Sequence, residues 1–169
     1  MPKFKPLPPL ARVKELVCYD ASSGKLFWLQ PVAQCIKAGD EAGSKDKHGV
    51  RIKLDKTKYL VHRVIWLLMT GQDPANKLID HIDGNPYNNR FNNLRLATRH
   101  QNGCNQKKHS NNTSGFKGVC WHKVIKKWQA YITVEGQRVG LGYFGTKEEA
   151  YAVYCEAAKK LHKDFARLP

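Results

Sequence analysis

Between Asn105 and Gly115 the chain runs NQKKHSNNTSG, eleven residues without one apolar side chain. A stretch this polar cannot thread a hydrophobic core, so the apolar patterns on either side of it must build separate ones. The chain has 169 residues, and a core of fewer than roughly 70 residues is only marginally stable, so both pieces must be economical folds. The division drawn from this run is residues 1–106, a linker at 107–112, and residues 113–169.

Upstream, residues 1 to about 12 are Pro-rich and basic and read as a tail. Next, VKELVCYDASSGKLFWL sets Leu26, Phe27, Trp28 and Leu29 behind a Ser-Ser-Gly turn, which predicts a hairpin. Gly49 to Leu54 alternates at period two, Asp55 to Lys58 reads as a turn, and Tyr59-Leu60-Val61 follows as the partner strand. His62 to Thr70 carries Val64, Ile65, Leu67 and Leu68 and stops at Gly71, the pattern of one buried helix. Short apolar stubs, Leu78-Ile79 and Leu94-Arg95-Leu96, then flank an Asn-rich loop from Asp83 to Asn93. Thr98 with Gln101 makes a capping box for a further helix.

Downstream, Phe116 to Trp121 is a strand candidate. Trp128, Ala130, Ile132 and Val134 alternate with Gln129, Tyr131 and Thr133, and Glu135-Gly136 turns the chain into Arg138 to Phe144. A second capping box, Thr146 with Glu149, opens a helix whose Ala150, Val153, Tyr154, Ala157, Ala158 and Leu161 recur at helical spacing. The fold class is α+β: a small antiparallel sheet and a strand-loop-strand-helix segment, then a three-stranded antiparallel sheet packed on one helix. The other face of that sheet is left free.

Charge narrows the function. Lys and Arg number 29 against 14 acids, a net +15, with 17 against 9 in residues 1–102 and 12 against 5 in 103–169. Two basic halves suit a polyanion touched at two places, where neutralised phosphates release counterions. They suit one acidic membrane patch less well. Cys18, Cys35, Cys104, Cys120 and Cys155 form no CxxC pair and are odd in number, so neither a disulfide framework nor a structural zinc is expected. The set His100, Cys104 and His109 is a weak zinc candidate. MPKFKPLPPLARVKEL lacks the apolar core of a signal peptide, and no apolar run reaches membrane-spanning length. A soluble, cytoplasmic protein is the expectation.

The chemistry concentrates in IDHIDGNPYNNRFNNLRLATRHQNGCN. Asp80 and His81 stand at the end of a short strand, Asn93 twelve residues later and Asn102 nine further on. This spacing, with YLVHRVIWLLMTG ahead of it, resembles the HNH endonucleases of the phage and intron-associated homing type, over roughly residues 15–106. In that family a two-stranded ribbon and a helix clamp one divalent metal, the ββα-metal fold. The resemblance implies His81 as general base, since imidazole can accept a proton from water near neutral pH. It implies Asp80 and Asn102 as oxygen ligands, and Asn93 as the residue that bridges the loop and keeps the base in register. Many members carry histidine where Asn102 stands; an all-oxygen set favours Mg2+ or Mn2+ over zinc. Asp83 is the alternative ligand, and His62 and Arg63 are read as packing or phosphate contacts.

The downstream piece, through SGFKGV, KWQAYI, RVGLGYF and TKEEAYAVYCEAAKKLHKDFA, resembles the AP2 DNA-binding domain. There the free sheet face enters the major groove. By register Lys117, His122, Tyr131, Thr133 and Arg138 match DNA-touching positions, with Trp121 added as a neighbour that could equally pack locally. Cys120 and Gly140 stand where plant members often carry arginine and tryptophan, so plant target preferences do not transfer. The reading is a metal-dependent, homing-type endonuclease for duplex DNA, with a monomer favoured over a dimer; the resemblance implies that it leaves 5′-phosphate and 3′-hydroxyl ends. A catalytically silent DNA-binding regulator and an RNA-binding protein are the rivals.

Overall fold

A computed structural model describes residues 4–108 and 111–168. The chain forms two compact units, Met1–Ala97 and Thr98–Pro169. The expected linker at 107–112 lies within the second unit, and His109 falls outside the described residues.

The first unit opens with helix α1 (Leu10–Leu16), which begins inside the stretch read as a tail. Pro9 precedes it, and Val13 and Leu16 are buried. A proline tolerates the start of a helix because the first turn needs no N–H partner there. Strands β1 (Val17–Asp20) and β2 (Lys25–Trp28) form the expected hairpin, Val17 opposite Trp28. The Asp20 carboxylate ties its turn, accepting from the hydroxyls of Ser23 and Ser22, and these bonds hold it down at about 2.

A three-stranded antiparallel sheet follows: β3 (Ser44–Asp46), β4 (Gly49–Leu54) and β5 (Thr57–Leu60). The β4–β5 turn is shorter than expected. Asp55 and Lys56 alone make it, both at positive φ, 43° and 67°, the geometry that matches the twist of a two-residue hairpin. Helix α2 (Val61–Thr70) is the predicted buried helix, and Gly71 ends it at φ 73° with its N–H on the Leu67 carbonyl. Val61, Val64, Ile65 and Leu67 pack with Val13, Leu26, Ile52 and Leu54 into one core. Arg63 is inside as well, donating to the Lys77 and Ala75 carbonyls and pairing with Asp73; it is a packing residue. Strands β6 (Leu78–His81) and β7 (Leu94–Ala97) close the unit as an antiparallel pair, joined by the polar loop and a 3-10 turn at Phe91–Asn93.

The second unit begins with helix α3 (Arg99–Cys104), whose Thr98–Gln101 capping box forms in both directions. The meander β8 (Val119–His122), β9 (Lys127–Val134) and β10 (Gln137–Phe144) has the order β10-β9-β8. A register shift between Gly140 and Gly142 bends β10. Helix α4 (Lys147–His162), opened by its own capping box, packs on one face of this sheet. Its buried stripe is Ala150, Tyr154, Ala158 and His162. The sequence pattern favours Leu161 for the last inward position, but Leu161 is 52% exposed and His162 only 9%. Strict i, i+4 spacing brings the histidine round to the sheet, where its Nε2 meets the Thr133 carbonyl at 3.1 Å. The α+β architecture read from the sequence is the one observed.

Candidate active site and candidate DNA interface

The rungs of the β6–β7 pair set the catalytic candidates: Asp80 lies opposite Arg95, and His81 opposite Leu94. Asp80 is 5% exposed. A carboxylate so poorly hydrated requires a partner, and the Arg95 guanidinium supplies it, with Nε and Nη2 at 2.9 and 2.8 Å from Oδ2.

His81 is 8% exposed. Its Nε2 lies 2.9 Å from Oδ1 of buried Asn89. An amide oxygen only accepts, so Nε2 carries the ring proton and Nδ1 is the basic nitrogen. Tyr19 steadies this part of the loop, its hydroxyl accepting from the Phe91 N–H and donating to the Asn89 carbonyl. The His62 ring stands edge-on to His81 at 5.1 Å between centroids. Burial, then the proximity of His81, pushes His62 down to about 3, so it is neutral at working pH.

Asn93 spans the loop. Its Nδ2 donates to the Asp83 carboxylate and to the Asn88 carbonyl at 3.0 and 2.8 Å, and its Oδ1 accepts from the Asp83 N–H. Asp83 also takes the Asn85 N–H and the Asn88 amide. Partial burial works to raise the Asp83 carboxyl, but these donors outweigh it and hold it below the ordinary range. Asp83 is thus occupied as the hub of the loop. Asn102, the other candidate ligand, lies on α3 in the second unit.

On the AP2-like sheet, the side chains of β9 divide by alternation. Ala130 and Ile132 are buried towards α4, which turns Gln129, Tyr131 and Thr133 to the other face. Arg138 pairs with Thr133, and His122 with Lys127, so both join that free face. The Arg138 guanidinium lies 3.7 Å over the Tyr131 ring, and His122 meets Tyr143 edge-on. Two expected contacts are elsewhere. Trp121 pairs with Trp128 and packs edge-on against it, so although 46% exposed it belongs to the helix side of the sheet. The Lys117 ammonium is drawn to the end of α3, donating to the Cys104 and Gln106 carbonyls at 2.5 and 2.9 Å.

Two family models match the chain: HNH endonuclease over residues 59–104 and AP2 domain over residues 114–163. Protein 3.8 of Escherichia phage T7 is 38% identical over 106 residues, 63% of this chain and 87% of the phage protein. The chain belongs to the HNH endonuclease family. An uncharacterized HNH endonuclease of Acanthamoeba polyphaga mimivirus is 33% identical over 121 residues, covering 71% of this chain and 62% of that relative's length. No solved structure matches.

As an HNH endonuclease this chain is a DNA-cleaving enzyme, its HNH and AP2 domains both indicate DNA binding, and such nucleases generally use a divalent metal ion. The sequence pattern left two partners of the site unnamed. Asn89 was visible only as part of an Asn-rich loop, and Arg95 only as a basic residue in a strand stub. Among the described residues no helix is long and apolar enough to cross a membrane.

Proposed function

We propose that this HNH endonuclease hydrolyses phosphodiester bonds of duplex DNA, with His81 as the general base. The observation that carries this reading is the Asn89–His81 bond, which fixes the tautomer with its lone pair on Nδ1. Asn93 acts as a positioning residue, keeping the loop closed behind His81.

Asp80 and Asn102 would hold the divalent ion. The donors fit: a carboxylate and an amide oxygen are hard ligands suited to Mg2+ or Mn2+. When bound, the ion supplies charge stabilisation at the leaving oxygen. Arg95 holds the Asp80 carboxylate in place through its two hydrogen bonds. The nuclease part is residues 1–106, 107–112 the linker and 113–169 the module that positions the enzyme on DNA through His122, Tyr131, Thr133 and Arg138. It would be a homing-type enzyme working as a monomer in the cytoplasm of a bacterial or phage-infected cell; the phage and mimivirus relatives support action inside a host cell.

The test is cleavage of supercoiled plasmid carrying candidate host DNA, with Mg2+, Mn2+ or EDTA. Wild type is expected to give open-circle or linear product only with metal. His81→Ala is expected to lose about 10²- to 10⁴-fold in rate, the usual contribution of a general base. Binding without cutting under every metal, or undiminished cutting by His81→Ala, would overturn the assignment.

A further inference from the structure

The stripe of α4 ends on a histidine with one nitrogen unused. His162 Nε2 faces a carbonyl oxygen, which only accepts, so Nε2 holds the proton and Nδ1 carries the lone pair of the neutral ring. Among the described residues, Nδ1 is the buried side-chain nitrogen or oxygen left without a hydrogen-bond partner. Leaving such an acceptor unpaired costs free energy, and native proteins keep few of them.

Two further donors stand beside it. His100 and Cys104 are four residues apart on α3, hence on one face of that helix. Cys104 Sγ lies 3.6 Å from His100 Nε2, and the His100 and His162 ring centroids are 5.7 Å apart. One ligand atom from each of the three residues falls within 4.8 Å of the others. Tetrahedral zinc, with bonds of about 2.0–2.3 Å, sets a sulfur and a nitrogen ligand about 3.6 Å apart and two nitrogens about 3.3 Å apart. One pair already has that spacing, and the rest is a side-chain adjustment of roughly an ångström.

We infer that His100, Cys104 and His162 form a transition-metal site that takes Zn2+, separate from the nuclease site. Thiolate and imidazole are borderline-soft ligands that suit zinc and not Mg2+. The Thr133 carbonyl plays the outer-shell part usual for a zinc-bound histidine, holding the far N–H so that the near nitrogen points at the ion. A cavity of about 400 Å³ opens onto these residues and leaves room for water as fourth ligand. On binding, the Cys104 thiol releases its proton to solvent and both imidazoles coordinate as neutral rings. The site replaces the expectation of no structural zinc with a ligand set that spacing conceals: two residues come from one short helix and the third from a helix far along the chain. Its effect is local. Helix α3 has six residues, too few to hold itself, and carries Asn102 between the two ligands; zinc would rivet it to α4.

The experiment is a titration of the full chain, stripped with chelator, first with Co2+ and then with competing Zn2+. Wild type is expected to develop a thiolate-to-cobalt charge-transfer band at one equivalent per chain, erased by stoichiometric Zn2+. An all-oxygen site gives no such band, so Co2+ bound at Asp80 does not imitate the result. Cys104→Ser should abolish the band. His162→Gln should weaken zinc binding by more than the roughly 100-fold that loss of an outer-shell partner can cost. Cys120→Ala and His81→Ala should leave both unchanged. If His162→Gln does not fold, His100→Ala, at a half-buried position of α3, is read instead, and it should also lose the rise in Tm that zinc gives wild type. No band in wild type, or a band that survives Cys104→Ser, would overturn the site.

Discussion

Arg95 faces Asp80 across one rung of a hairpin and neutralises a carboxylate that water barely reaches. Removing one partner of such a pair strands the other, at a cost on the order of 3 kcal/mol. Arg95→Gln should therefore lower stability by about that amount in urea denaturation with EDTA, and added Mg2+ should restore part of it; an unchanged midpoint would show that the pair holds nothing. His62 sets the acid side of stability. Its folded pKa, about 3, lies below the ordinary 6.5 because the buried ring is costly to charge. Below pH 6.5 the unfolded chain binds the proton and the folded one does not, so stability rises with pH between about 3 and 6.5 and is lost on acidification through that window. Tm measured from pH 7.5 down to 4.5 should fall, and less steeply in His62→Phe. Asp80, His81, Asn93 and Asn102 were legible as candidates because the family spacing is written along the chain. Arg95 and Asn89 were not, because strand register makes the first partnership and closure of the loop makes the second.

Gly118 joins sheet to helix in the second unit. At φ 73° it lies where a Cβ would stand 2.1 Å from Tyr154 Cδ2 and 2.7 Å from the Tyr131 carbonyl. Gly118→Ala should destabilise this unit by on the order of 3 kcal/mol, through the clash and the left-handed backbone together. Thermal unfolding would report it, with weakened DNA binding at temperatures where wild type is intact. Capping chemistry was the most readable signal at this level, since Thr98 with Gln101 and Thr146 with Glu149 both form reciprocal boxes. Helix α1 was hidden by the prolines ahead of it, and β3 by having only Ser-Lys-Asp, which shows no alternation. Leu161 and His162 exchanged places because hydrophobicity was the guide, whereas the helix repeat decides which side chain meets the sheet.

Across the whole molecule the charge is +15, and binding to DNA should weaken steeply with salt. Each phosphate contact contributes about 0.9 to the slope of log K against log salt. Arg138→Ala, removing a guanidinium from the free sheet face, should flatten that slope by about 1 in a fluorescence titration, and Trp121→Phe, on the opposite face, should leave it alone. The bonds that shape the catalytic hairpin answer differently to salt. The Asp80–Arg95 pair and the Asn93 strap lie in and beside a buried rung, where ions screen weakly. Ionic strength thus acts on this enzyme as a clutch: it lets go of the DNA while the cutting site stays assembled. Turnover on excess plasmid should climb as salt frees bound product, pass through a maximum, and fall once substrate capture fails, while the single-turnover rate of enzyme already seated on DNA barely moves.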